Sequence, residues 1–171
     1  VLNRGVCIAM DVNTGAILAM VTVDGYDLND PYTLPKETQK KINALSEKKQ
    51  AQAESEALAA MSRNKAITDT YMPGSVFKMC TASMALEEDK VNDSSTFVCT
   101  GSIVVGGETI HCSHLEGHGT QNFVQATSNS CNPAFIQIGQ LLGINKFCQY
   151  YQGFGFSEKT GIDLPGEADD S

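Results

Sequence analysis

The stretch that most constrains this chain is residues 75–88, Ser-Val-Phe-Lys-Met-Cys-Thr-Ala-Ser-Met-Ala-Leu-Glu-Glu. Pro73 and Gly74 punctuate its start, and Val76, Phe77, Met79, Cys80, Ala82, Met84, Ala85 and Leu86 are apolar nearly all round. Such a helix belongs in the middle of a core, so the rest of the chain has to wrap it. Lys78 is the only charge between Ser75 and Leu86. A lysine on a buried helix loses hydration, which lowers its pKa and makes it a candidate base. Ser75 lies three residues before it on the same face. It sits at a first turn, where unpaired backbone N–H groups favour negative charge. The competing reading is that Ser75 merely caps the helix and Lys78 snorkels to water.

The wrapping has to come from 171 residues, 42% of them hydrophobic, enough for one domain with a real core. Val6–Met10 and Ala16–Val21 flank Asp11-Val12-Asn13-Thr14-Gly15, which is turn chemistry and predicts a β-hairpin with both strands substantially buried. Residues 36–62 are rich in Lys, Glu, Gln and Ala without Gly or Pro. Their thin apolar stripe (Ile42, Leu45, Leu58, Met61) predicts a solvated helix or helix pair that carries no chemistry. Residues 97–114 read as a second hairpin turning at Gly106-Gly107. Helices are predicted around 122–128 and 133–142, the second with Pro133 in its first turn and Gly143 as its stop. A short helix and a turn-rich, extended tail follow. The pattern is α+β.

Net charge is −8, from 12 Lys and Arg against 20 Asp and Glu, which argues against nucleic acid or an anionic membrane surface as the main partner. No run of 18 apolar residues offers a membrane span, and no signal peptide opens the chain. Val1 follows no initiator Met, so the chain reads as an excised piece whose anchor lies outside it.

Ser-x-x-Lys by itself is a weak signal. It occurs three times, at Ser46/Lys49, Ser62/Lys65 and Ser75/Lys78. The first two lie in or beside the polar helical stretch, where Lys is a solvated charge; only the third opens an apolar helix. A second element, Ser130-Cys131-Asn132, puts a hydroxyl and an amide at a break between two helices, where both can project into a cleft. The alternative is that they cap the next helix, and Ser62-Arg63-Asn64 has the same spacing in a polar stretch.

Taken together and in this order, the two elements resemble the penicillin-recognising acyl-serine enzymes. The chain is similar to the transpeptidase domain of class B penicillin-binding proteins, nearest the clostridial elongation and sporulation type. The likeness extends over "MDVNTGAILAMVTVDGYDLNDP", "SRNKAITDTYMPGSVFK", "GGETIHCSHLEGHGT", "SNSCNPAFIQIGQLLG" and "FGFSEKTGIDLPGE", leaving out mainly residues 36–62. It implies a serine β-lactamase-like fold, an antiparallel sheet packed with a helical cluster, with residues 1–171 a partial domain whose catalytic elements run from 71 onward. It implies that Ser75 attacks a D-Ala-D-Ala stem peptide, that Lys78 takes the serine proton, that Ser130 relays a proton to the leaving amine and that Asn132 holds the substrate backbone. β-Lactams then stall as acyl-enzymes, and catalysis requires no cofactor. It also implies a cell-wall glycosyltransferase as partner, a role in cell shape or sporulation, and a place on the extracytoplasmic face of the bacterial membrane, anchored by an N-terminal segment. Lys159-Thr160-Gly161 spells the family's third motif but belongs to the preceding "TGIDLPGE" block. The active-site strand is therefore expected beyond Ser171, and the isolated chain is expected to be impaired. Two alternatives stand beside this reading: a β-lactam sensor or β-lactamase, for which no deacylating base is identified, and a non-catalytic scaffold domain.

Of the six cysteines, Cys7 and Cys80 sit in apolar runs and read as buried small hydrophobes. Cys99 and Cys112 are equidistant from the Gly-Gly turn and would face each other across the hairpin, with His114 on the same strand face and His118 in the following loop. This is a candidate structural zinc site. Cys131 is an alternative ligand, and His118 has a competing role in shaping its loop. A Cys99–Cys112 disulfide or two packed free thiols are the other readings.

Overall fold

The computed structural model describes residues 5–23 and 25–168, which divide into two compact units. The first comprises the chain up to Thr70 together with the tail from Gly161, and the second comprises Tyr71–Thr160.

In the first unit, β1 (Val6–Met10) pairs antiparallel with β2 (Ile17–Thr22). Asp11 builds the turn: its carboxylate accepts from the Asn13 backbone N–H at 2.8 Å, and Gly15 closes it at φ 73°. The hairpin forms where the sequence predicts it, but its expected burial does not. Ile8, Met10, Leu18 and Val21 are exposed, and so is Cys7. The reason is coverage. Among the described residues, the helix packed on this ladder is the single turn α3 (Lys65–Thr68); its N-cap Asn64 reaches Met20, and Lys65 reaches the Val23 carbonyl just past β2. Four residues cannot shield both faces of two strands. The polar segment forms the expected helix pair, α1 (Lys36–Asn43) and α2 (Glu47–Ser62), and α2 has no buried residue.

The second unit holds the core. A 3-10 turn, Gly74–Phe77, runs directly into α4 (Lys78–Glu87). α4 buries Thr81, Ala82, Met84 and Ala85, while Met79 and Leu86 are exposed and Cys80 is half-buried. The expectation of a helix covered all round, with Cys80 inside, is thus met on one side only. That side is packed by α6 (Asn132–Leu142) and α7 (Ile144–Gly153), and the described residues of this unit put no element on the other. α6 contributes Ala134, Phe135, Ile138 and Leu142, spaced to share one face. Just before it, α5 (Phe123–Ser128) is started by a capping box between Asn122 and Gln125.

The strands of this unit correct the predicted second hairpin. β4 (Ser102–Val105) and β5 (Glu108–His111) do pair across Gly106-Gly107, whose φ of 61° and 89° suit a tight hairpin turn. β3 (Thr96–Cys99), however, does not extend that ladder; it pairs with β6 (Gly119–Asn122), where the sequence reads as the loop after the hairpin running into the helix predicted from about 122. The chain swings between the two ladders at Gly101, where a Cβ would overlap the Leu115 carbonyl, and at Gly117, where it would overlap the Cys99 carbonyl. Both glycines have positive φ and allow a backbone approach no other residue permits. The chain is α+β and antiparallel throughout, with three two-stranded ladders among the described residues. No described helix is long and apolar enough to cross a membrane.

Candidate active site and cysteine cluster

Lys78 begins α4, the break before α6 carries Ser130 and Cys131, and Asn132 opens α6. Packing α4 against α6 brings them together. Lys78 Nζ donates to the Ser130 carbonyl at 2.6 Å, to Ser130 Oγ at 3.0 Å and to Asn132 Oδ1 at 2.7 Å. Asn132 is held from its other end, since Nδ2 donates to the His111 carbonyl of β5 at 2.9 Å. Neither side chain is an N-cap; Cys131 occupies that position, without a capping bond. Ser130 adopts φ 48°, an uncommon left-handed conformation for serine. With that turn both its carbonyl and its hydroxyl reach the lysine.

Burial pulls the Lys78 pKa below the usual lysine range, opposed by the charges that Cys131 and Cys112 would carry as thiolates. The Phe135 ring lies 5.5 Å from Nζ. Ser75 is exposed one turn upstream, in the 3-10 segment. That turn is fixed from behind by Phe77, whose ring stands 5.5 Å from Phe156, 6.0 Å from Phe147 and 6.2 Å from Tyr151. α7, which supplies two of those rings, is tied to the end of α4 by Lys146 and Tyr150, which both donate to Glu88. Sequence reasoning did not find this aromatic seat, although Phe77 lies between the two residues it singled out. Lys159-Thr160-Gly161 lies outside any strand.

Behind the Ser130–Asn132 break, Cys99, Cys112, His118 and Cys131 bring their ligand atoms within 4.8 Å of one another, with Cys112 Sγ 3.5 Å from His118 Nδ1. The three cysteines are buried and unpaired. The expected meeting of Cys99 and Cys112 occurs, but not across one hairpin; Cys99 ends β3, Cys112 follows β5 of the other ladder, and the swing at Gly101 joins them. The fourth donor is Cys131, not His114. His114 stands outside the cluster with its ring 5.1 Å from that of His118. The set fits a tetrahedral ion, whose thiolates at 2.3 Å bonds would lie about 3.8 Å apart. Burial pushes the Cys131 thiol up to about 11. For Cys112, burial also acts upward but is outweighed by the backbone N–H groups of His114 and Asn132 and by the other two thiols, leaving it below the ordinary value.

Residues 5–170 match the family model described as the penicillin binding protein transpeptidase domain. Stage V sporulation protein D of Bacillus subtilis is 45% identical over 106 residues, covering 61% of this chain and 16% of that protein. Peptidoglycan D,D-transpeptidase MrdA of Acinetobacter baumannii is 27% identical over 169 residues, 98% of this chain and 24% of its own length. Among solved structures, the D,D-transpeptidase domain of a peptidoglycan glycosyltransferase from Eggerthella lenta superposes with a TM-score of 0.74 at 30% identity, covering 98% of this chain and 36% of that one. The chain thus spans between about a sixth and a quarter of these two curated relatives.

Proposed function

Since the chain belongs to the penicillin-binding-protein transpeptidase family, with the class B members among its relatives, we propose that it carries the acylation half of a peptidoglycan D,D-transpeptidase site. The observation that carries the proposal is the three-point hold on Lys78 Nζ by Ser130 and Asn132. Three acceptors suit an ammonium with three donors. The Ser130 carbonyl and Asn132 Oδ1 accept only, whereas Ser130 Oγ both accepts and donates. When the lysine loses its proton, its two remaining N–H bonds satisfy the two obligate acceptors. The lone pair is then left for a hydroxyl proton, from Ser75 or from Ser130. Lys78 is in this way the base for Ser75 as its oxygen attacks the penultimate D-Ala carbonyl. Ser130 carries a proton onward to the departing D-Ala amine. A second stem-peptide amine resolves the ester and cross-links the wall. A β-lactam acylates Ser75 the same way. Oxyanion charge falls in part to the Ser75 backbone N–H. This chemistry belongs on the outer face of the bacterial membrane, beside a glycosyltransferase that supplies the glycan, and the 45% likeness to stage V sporulation protein D favours a sporulation role.

The test is labelling of the full-length protein with a fluorescent penicillin. Wild type is expected to label at Ser75, and Ser75→Ala is expected to lose the label entirely. A wild type that never labels favours the scaffold reading, and rapid release of the label favours a β-lactamase.

The cysteine cluster supports a second proposal, a structural zinc held by Cys99, Cys112, His118 and Cys131. The ion would lock the two ladders and the Ser130–Asn132 break into one piece, and it takes no part in the acylation steps. Purified protein is expected to hold one zinc, and a chelator is expected to lower its melting temperature. Absence of stoichiometric metal from protein kept reduced sinks this reading.

A further inference from the structure

Gln121 on β6 is 3% exposed. It pairs with Phe97 in the register that sets Gly119 against Cys99, so it occupies the core face of its ladder. An amide there needs a reason, because alternation calls for an apolar side chain at that position. Its two ends are treated differently. Oε1 accepts from Asn129 Nδ2 at 3.0 Å, which fixes the direction of the amide. Nε2 is buried with no hydrogen-bond partner among the described residues. Its neighbour on that side is the Cys131 thiol, with which it closes no hydrogen bond. A protonated thiol is a weak acceptor. A thiolate accepts more strongly, and outer groups that donate to metal ligands orient and tune them.

We propose that Gln121 is the outer donor of the cysteine–histidine metal centre, giving its Nε2–H to the Cys131 thiolate, with Asn129 aiming it. The inference rests on the zinc proposal above. On metal binding the Cys131 S–H bond breaks, its proton leaves to solvent, a sulfur–zinc bond forms and the waiting amide closes on the sulfur. No electron is transferred. A cleft of about 270 Å³ lined by His118, Gln121 and Asn129 lies at the His118 side of the cluster. Gln121 is therefore a positioning residue. Because Asn129 immediately precedes Ser130, it also ties the metal's surroundings to the loop that holds Lys78.

The experiment uses full-length protein stripped of metal, titrated with zinc against a chromophoric chelator and with cobalt(II) as a spectroscopic probe. Gln121→Leu is expected to weaken zinc binding about tenfold or more and to shift the thiolate-to-cobalt charge-transfer band. Its metal-free melting temperature is expected to stay at or above that of wild type, since an unpartnered buried amide has been removed. Gln121→Glu, which sets a carboxylate against the thiolate, is expected to lose more affinity than Leu. Asn129→Ala keeps the amide but frees it, and is expected to lose less, in the same direction; this variant decides the matter if Gln121→Leu does not fold. Zinc affinity and cobalt spectra unchanged in both Gln121→Leu and Asn129→Ala overturn the inference while leaving the zinc site standing. A wild type that binds neither ion overturns the zinc site itself.

Discussion

The β1–β2 hairpin and the β3–β6 ladder are built alike and end up differently. Both are short and antiparallel, and β1, Val-Cys-Ile-Ala-Met, is the more apolar of the two leading strands. Yet β1 is exposed along its whole length, whereas β3 alternates cleanly, burying Phe97 and Cys99 and exposing Thr96 and Val98. Hydrophobicity does not decide the outcome; the layer lying on the strand does. β3 has α5 and α6 against one face, and β1 has one turn of α3. An apolar strand read from sequence is a statement about what the strand needs, and burial is a statement about what the neighbouring elements supply.

The contrast is sharpest at glycines. Gly101→Ala forces a Cβ into the Leu115 carbonyl at positive φ, while Gly15→Ala meets the same φ penalty in open space. The expected losses are about 4 kcal/mol for Gly101→Ala and about 1 kcal/mol for Gly15→Ala, measured by chemical denaturation. Zinc binding is expected to vanish with Gly101→Ala only. Equal effects would erase the distinction between a built crossing and a surface turn.

A smaller effect tests the strands' surroundings directly. Ile138 on α6 is fully buried and Ile8 on β1 is 45% exposed. Ile138→Ala is expected to cost about 3 kcal/mol. Ile8→Ala is expected to cost less than about 1 kcal/mol. A large loss at Ile8 would mean that β1 is covered after all.

Much of the site is legible in sequence because its chemistry is carried by side chains of unusual placement. Lys78 stands out as the one charge in an apolar helix, and Ser130 and Asn132 as polar groups at a helix break. The helices could be read because their caps are local: Asn122 with Gln125, Pro133, Gly143. What escaped the sequence is set by backbone and by long-range pairing. The His111 carbonyl that holds Asn132 has no side-chain signature. The positive φ of Ser130 occurs at a residue that does not advertise it. The pairing of β3 with β6 in place of β4's ladder depends on Gly101 and Gly117 approaching carbonyls far along the chain, so His114 looked like a ligand and Cys131 only like a substitute. Gln121 was passed over because a buried amide gives no pattern to read.

The central claim is that Lys78, kept partly out of water and held by Ser130 and Asn132, is the base for Ser75. The direct measurement is the second-order rate of penicillin acylation of the full-length protein from neutral to alkaline pH. Burial stabilises the neutral amine, so the rate is expected to rise with pH through an apparent pKa below the ordinary lysine value of 10.5. Below that pKa the charged lysine is the inactive form. Lys78→Arg, which stays protonated, is expected to lose acylation across the range. A rate that is flat in pH, or Lys78→Arg acylating at the wild-type rate, would contradict the account.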